Sequence, residues 1–233
     1  MSDKFDLNCW ILGDDARQVF PVEISNTKSV GSLMEAIKAK KKLAIGHIDA
    51  DALTLWKVSI SIDSSFKENV EEVELEDEEA LPFMEKLSCI FPDQPDDEAL
   101  HIVVLFPRVV ELCCLICNDD ASQIFPVKIA ITESVGTLKE AIKDKKLALQ
   151  HVDADSLTLW KVPPIRIDGS FQENLKKVEL KDEETLSPVQ RIFRIFPRRP
   201  QDGLLHLIIQ SPGPATDRKR KREDPGRSSP LFI

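Results

Sequence analysis

His47, Asp49 and Asp51 place an imidazole and two carboxylates at alternate positions of one short run, and His151, Asp153 and Asp155 do the same further along. That residue set could ligate a divalent metal or carry out acid–base chemistry. Each set comes from a single segment, whereas ligand and catalytic sets usually draw on several. Alternate polar residues in one loop are also the ordinary formers of turns and caps. A structural role is therefore expected, and an enzymatic reading would require the triad to converge on another polar segment.

Cys114 and Cys117 form a CxxC, but no second pair follows to complete a four-ligand zinc site. The five cysteines, Cys9, Cys89, Cys113, Cys114 and Cys117, are odd in number and lack framework spacing, which points to a reducing compartment at the site of action. Buried strand cysteines are the expectation. His101 and His206 open apolar runs and read as satisfied strand-end histidines. There is no nucleophile elbow, phosphate-binding glycine loop or HExxH, and only eight glycines are available for nucleotide-cradling loops. No enzyme activity, cofactor or metal is expected.

All these residues belong to a repeat. HIDADALTLWKV, from His47 to Val58, recurs as HVDADSLTLWKV from His151 to Val162. Leu7 recurs as Leu112, Phe20 as Phe125, Gly31 as Gly136, Phe66 as Phe171 and Leu100 as Leu205, each at an offset of 105. The middle slips to 104, as in Trp56 to Trp160, which the loop after the first helix explains if it is one residue shorter in the second copy. We read three parts: 1–107, 108–211, and a tail at 212–233. Each copy is close to the commonest domain size and can bury its own core. Only Pro107, Arg108 and Val109 separate the copies, so they should touch or be narrowly restrained.

Within a copy, Leu7 to Leu12 and Val19 to Ile24 read as a hairpin closed by Gly13-Asp14-Asp15. Ser29 can cap a helix in which Val30, Leu33, Met34 and Ile37 share one face, with lysines from Lys38 to Lys42 at its negative end. Leu53 to Val58 reads as a strand buried largely on one face. Ser187 and Pro188 predict a short helix through Val189, Ile192 and Phe193, a poorer version of which starts at Leu81-Pro82. Leu100 to Phe106 and Leu204 to Ile209 are apolar enough to lie mid-sheet. Strand, strand, helix, strand, short helix, strand is the order of the β-grasp, or ubiquitin-like, fold. The fold class predicted is α+β, two tandem β-grasp domains with a disordered basic tail.

Trp56 and Trp160 are expected to anchor cores; exposed, they would mark an interface. Lys57 and Lys161 are expected to face solvent. The chain ends Ser229-Pro230-Leu231-Phe232-Ile233 rather than in a diglycine, so the expectation is a binding module and not a conjugated modifier.

The formal charge of −9 is uneven. Residues 1–106 carry 10 Lys+Arg and 22 Asp+Glu, residues 107–211 carry 15 of each, and the tail carries 6 and 3. So acidic a first copy argues against nucleic acid as a partner, which needs a cationic surface. The N-terminus shows no apolar run of the roughly 7–15 residues found in a secretory signal, and no stretch approaches the ~20 apolar residues of a membrane span. A soluble chain without a membrane partner is expected. From Ser211 the composition turns to Pro, Gly, Ser and charge, read as disorder. In it, Arg218, Lys219, Arg220, Lys221 and Arg222 match a nuclear-import signal, the alternative being a solvated tail.

These motifs resemble the N-terminal domain of the Crinkler effectors, a ubiquitin-like module found in oomycetes and fungi. Leu53, Leu55, Trp56 and Lys57, and Leu157, Leu159, Trp160 and Lys161, stand in LTLWKV runs similar to the LxLFLAK stretch of that domain and closer to its fungal form. HIVVLFP, from His101 to Pro107, and HLIIQSP, from His206 to Pro212, resemble its closing HVLVxxP. Val30, Gly31 and Leu33, with Val135, Gly136 and Leu138, match its VGxLKxAI helix. The resemblance covers residues 5 to 107 and 110 to 212. It implies secretion, entry into host cells and action in the host nucleus, with host or endogenous proteins and the import machinery as partners. In the family a separate C-terminal toxin domain, often nuclease-like or kinase-like, carries the damage. Here a second N-terminal-type domain and the basic tail stand in its place, so that activity does not transfer. The rival expectation is an intracellular ubiquitin-like adaptor that the producing organism does not secrete.

Overall fold

The apolar run that opens each copy becomes the strand on which its sheet is built. The computed structural model describes residues 3–71, 73, 75, 76 and 79–212. In it β1 (Lys4–Ile11) pairs antiparallel with β2 (Phe20–Ser25). The chain continues through α1 (Val30–Lys40), α2 (Lys42–Ile45), β3 (Thr54–Ser61), α3 (Phe66–Glu71) and α4 (Leu87–Ile90) to β4 (Ala99–Leu105). β4 inserts parallel to β1 and antiparallel to β3, giving the order β2-β1-β4-β3. Flanked on both sides and covered on both faces, β4 is buried at all its positions, as its apolar composition requires.

The second copy repeats this with β5 (Val109–Ile116), β6 (Phe125–Ala130), α5 (Val135–Lys145), β7 (Thr158–Arg166), α6 (Phe171–Leu175), α7 (Ile192–Ile195) and β8 (Leu204–Gln210), ordered β6-β5-β8-β7. Two tandem α+β units, each a mixed four-stranded sheet under one long helix, are thus the architecture.

α1 forms where its apolar spacing places it. Val30, Leu33, Met34 and Ile37 are buried on the sheet, and Ser29 Oγ accepts from the Ser32 N–H at 3.4 Å. The free N–H groups of Val30 and Gly31 donate to the carbonyls of Glu85 and Phe83, both at 2.9 Å. In the second copy Val135 and Gly136 donate likewise to Gln190 and Pro188.

This capping corrects the helix expected from Ser187 and Pro188. The Ser187 carbonyl closes a turn by accepting from the Gln190 N–H, the carbonyls of Pro188 and Gln190 serve α5, Val189 is exposed, and α7 starts only at Ile192. Facing the first turn of α5, the Pro188 and Gln190 carbonyls are turned away from the direction in which they would close a helical turn of their own.

The repeat's slip in register has a local cause. α2 is a four-residue turn in the first copy and a three-residue 3-10 turn, Leu147–Leu149, in the second. The tighter turn needs one residue fewer to deliver Ile45 or Leu149 into the core. The residue is regained in a bulge. Pairing of β3 with β4 shifts between Lys57 and Ile60, and that of β7 with β8 between Lys161 and Ile165, where Pro163 and Pro164 occupy an edge that needs no further ladder bond.

The copies are in contact. Trp10, Leu12, Trp56, Val70 and Leu75 of the first copy belong to one apolar cluster with Phe193 and Ile195 of the second. Arg108, in the linker, donates through Nη1 to the Leu12 carbonyl at 3.2 Å and through Nη2 to the Pro197 carbonyl at 2.7 Å, tying the turn after β1 to the loop after α7. Gly13 turns there at φ +90°, and a Cβ on it would lie 1.9 Å from the Pro197 oxygen.

Candidate functional site

Alternation along β3 sends Leu55 to the face under α1 and Trp56 to the opposite face, and both faces are covered. Leu53, Leu55, Leu157 and Leu159 are core residues. The indole N–H of Trp56 donates to the Glu76 carbonyl at 2.7 Å, and that of Trp160 to the Lys181 carbonyl at 2.8 Å. Both rings are buried under the segment that follows α3 or α6, with Phe66, Val70 and Leu75 beside Trp56 and Phe171 beside Trp160. They are anchors, but Trp56 is also part of the contact between copies.

The lysines of the two motifs are exposed along their stems, yet their ammonium groups are held. Lys57 Nζ donates to the Ile90 carbonyl and Lys161 Nζ to the Ile195 carbonyl, both at 2.7 Å, at the C-terminal ends of α4 and α7. They lie over the rings of Phe91 and Phe196, 4.9 Å and 5.3 Å from the centroids. Burial lowers the Lys161 pKa.

Each of those phenylalanines meets a histidine edge-on, Phe91 with His101 at 6.2 Å and Phe196 with His206 at 6.1 Å. Nδ1 of His101 accepts from the Asn8 N–H and Nδ1 of His206 from the Cys113 N–H, both at 2.9 Å. The proton therefore resides on Nε2, which in both rings is sealed from water without a hydrogen-bond partner. Burial pulls both pKa values below 6.5. The main chain of Asp96 and the carboxylates of Asp96 and Asp97 oppose it at His101, and the main chain of Gln201 and the Asp202 carboxylate oppose it at His206. Lys–Phe–His is thus a matched constellation that fastens the closing strand to the short helix. Its imidazoles reach no bulk substrate. Pro107 and Pro212, which end the closing motifs, are exposed.

His47, Asp49 and Asp51, like His151, Asp153 and Asp155, are exposed on turns whose alternate residues, Ala50 and Ala154 among them, point inward. Among the described residues no group of three or more His, Cys, Asp or Glu side chains is placed to hold a metal ion. Cys9 and Cys114 are fully buried strand residues, and burial pushes their thiols up. Cys113 and Cys117 are half-buried, and Cys89 departs from the strand expectation, being exposed on α4. No helix among the described residues is long and apolar enough to cross a membrane. The run from Arg218 to Arg222 lies outside the described residues.

The structure adds a cleft of about 790 Å³ between the copies. Trp10, Leu12, Val70 and Leu75 line it from one side, and Phe193, Ile195, Pro197 and Leu205 from the other. Among the described residues its charged lining is Lys161, Arg194, Arg198 and Arg199 with Asp14 and Glu76. Arg194 donates to the Leu75 carbonyl and, at 2.9 Å, to Glu76 Oε2. Sequence reasoning missed this site because its residues are dispersed over four segments. One signal was present: where copies are compared at the offset of 105, Phe193, Arg194, Arg198 and Arg199 replace Ser88, Cys89, Asp93 and Gln94.

Comparison with known proteins gives two findings. The family model of the Crinkler effector protein N-terminal domain matches residues 5–105 and again residues 110–210. Over 217 residues the chain is 37% identical to Crinkler effector protein 1 of Rhizophagus irregularis, an alignment covering 88% of this chain and 43% of that relative. The chain therefore spans less than half the length of the relative it matches.

Proposed function

The chain belongs to the Crinkler effector family, and we propose that it acts as a non-enzymatic effector. In this reading its two β-grasp copies bind protein and accompany delivery into a host cell, and Arg218 to Arg222 direct it to the nucleus. The observation that carries the reading is that the family's N-terminal domain accounts for both folded copies. Its signature side chains are committed internally: Leu55 and Trp56 to packing, Lys57 to a carbonyl. A motif so committed is recognised as a folded surface rather than as a linear peptide.

The test is a tagged full-length chain followed in the secretome, in host tissue and in host nuclei. Secretion with nuclear accumulation is expected, and replacing Arg218 to Arg222 by Ala is expected to abolish the nuclear signal. An unchanged signal removes the import role. Retention inside the producing cell favours the rival, an adaptor that is not secreted.

A further inference from the structure

The cleft between the copies has a volume within the range of about 300–1,000 Å³ typical of ligand sites, and it lies where such sites concentrate, between two folded units. Apolar residues that are not buried line both walls, Ala16 and Val73 in the first copy and Pro164, Pro197, Pro200 and Leu204 in the second. The walls differ in charge. Among the described residues the cations of the lining, Lys161, Arg194, Arg198 and Arg199, all belong to the second copy. The first copy contributes Val70, Val73, Leu75 and Glu76 from the stretch 67–79, whose sequence carries eight Asp+Glu and one Lys, against five and three in the matching stretch 172–184. Four of the eight acids, Glu72, Glu74, Asp77 and Glu78, lie outside the described residues and enter that count by sequence.

One segment of this chain carries the complementary groups. After Pro212 come the five cations Arg218 to Arg222 and then the apolar run Leu231-Phe232-Ile233, with no other large apolar residue in between. The segment is tethered close by. β8 starts in the cleft, where Leu204 and Leu205 line it, and ends at Gln210. At about 3.3 Å per strand residue, the chain beyond β8 departs about 20 Å from the cleft. Leu231 follows Gln210 by 21 residues. A chain of that length extends to about 70 Å and, when unstructured, averages about 25 Å end to end. A tethered segment reaches its highest effective concentration when that average matches the span to be crossed.

We propose that this segment docks on its own chain, with Leu231, Phe232 and Ile233 entering the cleft and Arg218 to Arg222 lying along the acidic stretch 67–79. Like charges on the second-copy wall keep the basic run off it, and opposite charges draw the run to the first copy. While docked, the run is covered. Its import role is then gated by release of the segment, and that consequence alone rests on the reading of the run as an import signal.

Trypsin cuts after each residue from Arg218 to Arg222, and cutting follows the fraction of molecules in which the site is open. Mass spectrometry therefore reads docking as the initial rate of these cuts in the full chain, beside a free peptide of residues 211–233 in the same reaction. At low salt the full chain is expected to be cut at least about tenfold more slowly than the peptide, and the difference should shrink as salt rises. Leu231→Ser/Phe232→Ser/Ile233→Ser leaves every cation in place and should restore most of the peptide's rate. Pro164→Lys, an exposed position on the cleft, should do the same from the other side of the contact. Glu71→Lys/Glu72→Lys gives the first copy the residues that the second carries as Lys176 and Lys177, and should also speed cutting. Calorimetry checks its folding, and the Ser variant decides if it does not fold. Equal rates for chain and peptide overturn the proposal. So does protection that Pro164→Lys and the Ser variant leave intact, which seats the segment elsewhere, or protection that grows with protein concentration, which seats it on a second chain. Nuclear signal is read in parallel. Protection without nuclear entry by any variant keeps the docking and removes the import role, whereas equal rates with nuclear entry do the reverse.

Discussion

The ring of Trp56 meets the ring of Phe193 with centroids 5.8 Å apart and planes inclined by 46°, so the signature strand of the first copy is completed by a side chain of the second. The residue matched to Phe193 in the first copy is Ser88, which could not make this contact on another sheet. Trp56→Ala is expected to destabilise the first copy by about 3–5 kcal/mol, since both the ring's packing and its bond to the Glu76 carbonyl are lost. Phe193→Ser is expected to cost about 3 kcal/mol and to split unfolding into two transitions, because it removes the aromatic bridge between copies. Scanning calorimetry reads both. A single transition at unchanged temperature in Phe193→Ser means that the contact does not couple the copies.

Gly13 and Gly169 make opposite predictions. Gly13 combines φ +90° with an approach to Pro197 that leaves no room for a Cβ, while a Cβ on Gly169 meets nothing within 4 Å. Gly13→Ala should therefore destabilise by about 1–3 kcal/mol, through strain and displacement of the Arg108 clamp. Gly169→Ala should stay within about 0.5 kcal/mol of the parent. Urea denaturation of the two variants side by side checks the pair.

How much of this was legible beforehand depended on whether a feature was local. The α1 face, the Ser29 cap and the apolar closing strands follow from spacing and composition within one segment, and the structure places each where the pattern puts it. The β-grasp order followed from the succession of such segments. The short helix was misplaced because Pro188 and Gln190 give their carbonyls to α5, a demand from another part of the chain that no local preference expresses. α3, with Phe66 and Val70 buried four residues apart, sat inside a stretch whose charge hid its spacing. The cleft was the least legible, being built by departures between copies rather than by the motif they share. The lysines of LTLWKV read as solvent-facing, and their stems are, but alternation along a strand does not indicate that a carbonyl lies within reach of the tip.

Those tips carry a prediction of their own. Lys57→Met and Lys161→Met keep the stem and remove the charge, leaving the Ile90 and Ile195 carbonyls without their donor and Phe91 and Phe196 without a cation. Each should cost about 1 kcal/mol, the net worth of one such hydrogen bond with a partly exposed cation–π contact. The matched geometry predicts nearly equal losses, read as shifts in the urea midpoint at constant slope. No shift in either variant would show that the ammonium groups add nothing to stability.

His101 and His206 set a pH dependence whose direction follows from their burial. Both are held neutral below the ordinary pKa of 6.5, with carboxylates at Asp96, Asp97 and Asp202 only partly offsetting burial. In the unfolded chain the same imidazoles titrate near the ordinary value. Between that value and the lower folded one the unfolded chain binds more protons, so stability falls as pH falls. Above about pH 7 both states are neutral and the two residues contribute no slope. The melting temperature should thus be flat above about pH 7 and decline from about pH 6.5 to 5, a window that lies above the range in which ordinary carboxylates titrate. His101→Gln/His206→Gln keeps an acceptor for the Asn8 and Cys113 N–H groups but cannot be protonated there. That variant should melt at nearly the same temperature across the window. If it retains the parent's decline, the buried histidines are not its source.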